Sequence, residues 1–149
     1  MKNLFDQQDA REIVDRINHL TAQSKPLWGK MDVAQMLAHC TMVIRIARGL
    51  DNPPRRVLGI LLGWMVKSSF FGEKPYPKNS PTDPGFIVTG ERDFEEEKLT
   101  LLTHVKAFAA GGAPGCTKHP NPFFGRLTPQ EWARGQYRHL DHHLNQFGV

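Results

Sequence analysis

The sequence predicts an all-α protein: a four-helix bundle with long crossover loops and an extra helical segment after the second helix. Three observations point there. Apolar residues recur three and four positions apart in several separate stretches, the period of one helix face. Helix-start signals stand ahead of two of these stretches. Only the short run Phe86-Ile87-Val88-Thr89 has the character of a strand, so no sheet is expected. Four principal helices that each bury one stripe find their simplest packing around a common core.

The first helix is expected over residues 10–20, where Ile13, Ile17 and Leu20 share a face. Ser24-Lys25-Pro26-Leu27-Trp28-Gly29 breaks it. Asp32, three residues ahead of Gln35, forms a capping box for a second helix over 33–50, with a stripe of Val33, Met36, Leu37, Cys40, Ile44 and Ala47. Asn52-Pro53-Pro54 is expected to end it, because proline lacks the amide and disfavours helix before it. The extra segment, 57–70, is apolar nearly all round apart from Gly59, Gly63 and Lys67. It is read as an extension of the second helix after a bend, as a cover for the end of the bundle, or as a dimer face.

Residues 72–90 hold prolines at 75, 77, 81 and 84 and three glycines, the composition of a long crossover loop. The next helix has Glu95, Glu96 and Glu97 in its first turn, which suits the helix dipole, and buries Leu101, Leu102, Val105 and Phe108. Gly111-Gly112-Ala113-Pro114-Gly115 ends it, and an irregular segment follows through Gly125. Thr128-Pro129-Gln130-Glu131 opens the last helix with a threonine cap, a proline in the first turn and a glutamate three residues on; Gly148 is its expected stop after Phe147.

Bulk properties limit the function classes. The 149 residues are the size of one domain, 1–149, with 40% hydrophobic and 23% charged residues, a globular composition. The net charge is +4, but basic residues are scattered singly, the longest run being Arg55-Arg56, so no nucleic-acid footprint is read. The most apolar stretch, 57–66, is too short to span a bilayer, and no membrane partner is expected. Residues 1–10 lack the apolar core of a signal peptide. Cys40 and Cys116 are far apart with no metal or disulfide spacing, which fits a reducing cytoplasm.

The chemistry rests on histidine, of which there are seven. On a helical wheel His139 and His143 lie about 40° apart, on the side of Trp132, Gln136, Leu140 and Phe147. His142 lies about 60° from His139 on the other side, toward the rim. An HxxxH pair on one face can hold one ion, but a third ligand is needed. His39 borders the stripe of the second helix and supplies the candidate. Spacing alone leaves two readings: a metal site, or buried core histidines each satisfied by a hydrogen bond. Cys40 sits about 100° from His39 and is read as a small buried hydrophobe. Trp28 and Trp132 are read as packing residues that could also wall a pocket.

Trp28-Gly29-Lys30-Met31-Asp32-Val33-Ala34-Gln35-Met36-Leu37-Ala38-His39 and His139-Leu140-Asp141-His142-His143-Leu144-Asn145-Gln146 resemble the two motif helices of the DinB-like (DinB/YfiT) superfamily. The run Phe123-Phe124-Gly125-Arg126-Leu127-Thr128-Pro129-Gln130-Glu131-Trp132 is similar to an uncharacterised branch of it, a domain of unknown function. The resemblance implies a four-helix bundle with His39, His139 and His143 as ligands of a divalent transition metal. Three imidazoles suit Zn, Ni, Cu or Fe, with Zn and Ni expected before Fe. His119, just before the branch motif, is read as a loop histidine near the rim.

Three neutral imidazoles leave a coordination position open, as in catalytic rather than structural zinc sites. The resemblance implies thiol-dependent S-transferases and metal-dependent hydrolases as precedents. The leading expectation is a transferase activating a low-molecular-weight thiol, with the loops at 72–90 and 116–126 shaping a small-molecule pocket. Asp141 is expected to point to solvent and Glu131 to serve its cap, so no general base stands out. The alternatives are a hydrolase and a non-catalytic stress-response or binding protein with a structural or empty histidine site.

Overall fold

The computed structural model describes residues 1–72, 74–80 and 83–149. It contains five α-helices: α1 Gln7–His19, α2 Val33–Ala47, α3 Val57–Phe70, α4 Phe94–Gly111 and α5 Pro129–Gln146. Short 3-10 turns lie at Pro84–Phe86 and Ala113–Gly115. No strand occurs among the described residues. Phe86 closes a 3-10 turn instead of starting a strand, because the Asp83 carboxylate takes the Gly85 amide and the Ile87 amide bonds back to Pro84. Glu73, Pro81 and Thr82, within the expected loop, lie outside the described residues.

Helix starts follow the side-chain caps. Asp6 accepts the amides of Gln8 and Asp9, which begins α1 three residues before its apolar stripe. Asp32 with Gln35, and Thr128 with Glu131, form reciprocal capping boxes for α2 and α5. The end of α2 corrects the expected boundary. It stops at Ala47 rather than residue 50, because Gly49 takes a left-handed conformation (φ 72°). Its amide bonds to Ile46 O at 2.9 Å and that of Leu50 to Arg45 O at 3.0 Å, so glycine closes the helix before Pro53 is reached. Helix α5 ends in the same way at Gly148, with Val149 bonded back to Leu144.

Helices α1, α4, α2 and α5 pack in that cyclic order around one core. Ile13 and Ile17, Leu37 and Ile44, Leu101, Val105 and Phe108, and Leu140 and Leu144 meet there, each almost wholly buried. Helix α2 buries residues on most of its circumference, His39 among them. Helix α3 lies outside this core, against the turn at 121–126. Its inner face carries Gly59 and Gly63, and a Cβ on Gly59 would lie 2.6 Å from Phe123 Cα, so only glycine allows this approach. No helix among the described residues is long and apolar enough to cross a membrane.

Candidate metal centre

Helix α2 carries His39, and α5 carries His139 and His143 one turn apart. Because α2 and α5 are neighbours, the three rings meet: one ring nitrogen from each lies within 4.8 Å of the others. Ring centroids are 4.7 to 5.0 Å apart. His39 and His143 are buried, at 4% and 8% exposure. The sequence-predicted trio is therefore brought together, in a geometry that could hold a metal ion.

Hydrogen bonds behind the rings fix which nitrogens carry protons. His39 Nδ1 is 2.8 Å from the Phe86 carbonyl oxygen, which can only accept, so Nδ1 bears the proton and Nε2 the lone pair. Gln146 Nε2 donates to Trp28 O at 2.7 Å, which turns its Oε1 toward His143 Nδ1 at 2.8 Å; that nitrogen is also the protonated one. Outer partners of this kind orient imidazoles that bind metals. A Cβ on Gly29 would meet Gln146 Nε2 at 2.5 Å, and its φ of 83° is left-handed, so glycine is what lets the glutamine reach Trp28.

His39 Nε2 lies 3.0 Å from His139 Nε2. With the His39 lone pair fixed, a direct bond requires His139 Nε2 to be the donor, leaving its buried Nδ1 as a lone pair; that atom has no partner among the described residues. The other tautomer puts the His139 proton on the unpartnered Nδ1 and leaves two facing Nε2 lone pairs, which a shared cation could satisfy. Electrostatics agree. Burial, then the neighbouring imidazoles, pushes His139 well below the usual histidine range. Burial and the nearby His39 bring His143 down to about 3. Burial lowers His39, partly offset by its bond to Phe86. All three are neutral near pH 7, the form in which imidazole is a ligand. The donor set of three nitrogens thus fits a borderline transition metal.

Two cavities lie near the cluster, one lined by His139 and the other by the neighbouring His142. A space of about 50 Å³ touches His139 and is walled by Phe70, Phe71, Phe124, Leu127 and Trp132. A larger cleft of about 420 Å³ is lined by Trp28, Tyr76, Lys78, Arg138 and His142. Trp28 and Trp132 wall separate spaces rather than one pocket. His142 lies half-buried between Trp28 and Tyr76, with its ring 5.2 Å from that of His143. His119 is exposed in its loop, as expected. Cys40 is buried, and burial raises its thiol far above the usual range.

The carboxylates nearby are engaged. Asp141 does not simply face solvent: Arg16 Nη1 holds it at 2.6 Å. Glu131 pairs with Lys67 at 2.8 Å besides capping α5. Sequence reasoning missed Phe86 and Gln146. The second was detectable, since Gln146 stands three residues after His143 on the same face; the Phe86 carbonyl, at the end of a long loop, left no local signal.

The role of Gln146 is testable. Gln146→Leu should weaken metal binding by about 10- to 100-fold, while Gln146→Glu, which keeps an acceptor, should recover much of it, as measured by competition against a chromophoric chelator. Equal affinity in the Leu variant would remove Gln146 from the site.

No curated protein and no solved structure matches the chain. A family model described as "Protein of unknown function (DUF1569)" matches residues 2–148, nearly the whole length. With its three-histidine cluster between two neighbouring helices, the chain belongs to the DUF1569 family, whose function is unknown.

Proposed function

We propose that His39, His139 and His143 hold a divalent transition metal, and that the protein is a metal-dependent transferase of a low-molecular-weight thiol on a DinB-like four-helix bundle. The observation that carries this reading is the tautomer pattern. Phe86 and Gln146 fix lone pairs on the inward nitrogens of His39 and His143, beside the partly buried His139. Packing of α1, α2, α4 and α5 around one core supports the bundle, as do the motif segments on α2 and α5.

A metal bound there would supply Lewis acidity at an open position and lower the pKa of a coordinated thiol. The remaining chemistry falls to the chain. In a transfer, the thiolate sulfur forms a new bond to an electrophilic carbon, and the leaving group departs with the bonding pair. The apolar walls of Phe71, Phe124 and Trp132 make a small, mostly apolar space beside His139. Lys78 and Arg138, in the larger cleft, suit an anionic group on the thiol or its acceptor. Because Asp141 and Glu131 are held in ion pairs, a route needing a strong carboxylate base is less well supported than one using a thiolate.

The test is metal analysis of protein purified without chelator, followed by conjugation assays pairing anionic and neutral thiols with a panel of electrophiles. Near one equivalent of metal and metal-dependent loss of thiol are expected. No tightly bound metal near neutral pH would sink the site; bound metal without turnover would leave a non-catalytic binding protein.

A further inference from the structure

Helix α3 presents a second apolar face that the described residues do not cover. Val57, Ile60, Leu61, Trp64 and Met65 are between 54% and 73% exposed. At about 100° per residue they fall within an arc of about 140°, opposite Gly59 and Gly63, which are pressed against Phe123. Together they expose on the order of 700 Å² of apolar side chain, more than the 300–600 Å² or so of the largest patch on a typical monomer. A central tryptophan framed by aliphatic residues is also the composition of an interface centre.

We infer that this stripe is the isologous interface of a homodimer in which the α3 helices of two copies pack antiparallel about a two-fold axis near Leu61. The area fits: two such faces together offer up to about 1,400 Å² for burial, which reaches the range of a standard-size interface. The charges fit a second copy better than a bilayer. Cations that helped a helix lie on an anionic membrane would turn toward the headgroups. Here Arg56 pairs with Asp83 at 3.0 Å and Lys67 with Glu131 at 2.8 Å, both within the same chain. Arg56 and Lys67 are thus each paired within their own chain, and the stripe itself is uncharged. Leu61, midway along the stripe, sits on its own counterpart when the two helices run in opposite directions.

Pairing would also bear on the histidine site. Phe70 and Phe71, at the end of α3, wall the cavity at His139, and the glycine face of the same helix backs onto Phe123. A copy docked on the outer stripe clamps α3 from the other side and so fixes that wall. The inference does not depend on metal binding, since no ligand lies on α3.

Sedimentation equilibrium tests it. Wild-type protein at tens of micromolar is expected at twice the chain mass, and Leu61→Glu and Trp64→Glu at the single-chain mass, with unchanged helical circular dichroism and unchanged metal content. A Leu61→Cys chain in a Cys116→Ser background is expected to form an oxidised cross-link, and Val57→Cys in the same background is not. A monomeric wild type overturns the inference, and flotation with phosphatidylglycerol vesicles would then identify a bilayer as the occupant. A Leu61→Glu chain that folds and stays dimeric places the interface elsewhere, and cross-linking at both positions rejects the antiparallel arrangement.

Discussion

Replacing His143 with alanine is expected to abolish stoichiometric metal binding and, with it, the thermal stabilisation that metal confers. Binding to the native state alone adds RT ln(1 + [L]/Kd), about 3 kcal/mol when free metal stands at roughly a hundredfold its dissociation constant. For a chain of this size that is a rise of about 6–12 °C in Tm. His143→Ala leaves two imidazoles, too few for tight binding, so the shift on adding metal should shrink to about 2 °C or less. Comparing each variant with and without metal cancels the separate cost of leaving Gln146 Oε1 without its partner. His142→Ala is the control, because His142 lies outside the trio. A full metal-induced shift in His143→Ala would show that the ion binds elsewhere.

Without metal, stability is expected to fall steeply with acid, beginning near pH 6.5, above the range in which most carboxylates titrate. The unfolded chain's histidines titrate near pH 6.5, whereas His139 and His143 in the fold are held far lower, His143 at about 3. As pH falls below about 6.5 the unfolded chain takes up protons that the native state refuses. The stabilisation is therefore complete above that pH and is lost progressively toward pH 3, where His143 also protonates. The loss amounts to several kcal/mol for His143 alone. The ion-paired carboxylates of Glu12 and Asp51 have depressed values and weaken the fold only at lower pH. Urea unfolding between pH 7 and about pH 5.5 is thus dominated by the histidines, with Glu97, whose carboxyl burial raises, acting in the opposite sense. His139→Gln with His143→Gln should flatten that limb, and saturating metal should move it to lower pH because protons and metal compete for the same nitrogens. An acid limb of equal slope in the double variant would assign the loss to other groups.

The helices were largely legible because their information is local. Capping boxes at Asp32 and Thr128 and the three-and-four spacing of Ile13, Ile17, Leu140 and Leu144 are short-range patterns, and so is the His139–His143 pair on one face. What was hidden depended on contacts distant in sequence. The Phe86 carbonyl reaches His39 across 47 positions, through a turn that the sequence showed only as proline-rich loop. The pull of Arg16 on Asp141 spans 125 positions. The early end of α2 was local and still misread: Gly49 outranks the Asn52-Pro53-Pro54 run because a left-handed glycine pairs the last carbonyls directly, whereas proline only forbids continuation. For 57–70, an all-round apolar pattern fixed the helix but not its place, since such a pattern fits burial, a cap or an interface equally well.

One amide joins two of these features. Gln146 holds His143 through Oε1 and the Trp28 carbonyl through Nε2, while the Leu27 amide bonds to the Gln146 backbone oxygen at 2.7 Å. The indole of Trp28 in turn lines the large cleft, with Lys78 over its face. A molecule that settles in that cleft and shifts the Trp28 backbone would therefore also tilt the His143 ring. By thermodynamic reciprocity, the factor by which it alters metal affinity is the factor by which metal alters its own. With an ion held at the three histidines, as proposed, cleft and ion would form one linked system, in which a titration of either reports on the other.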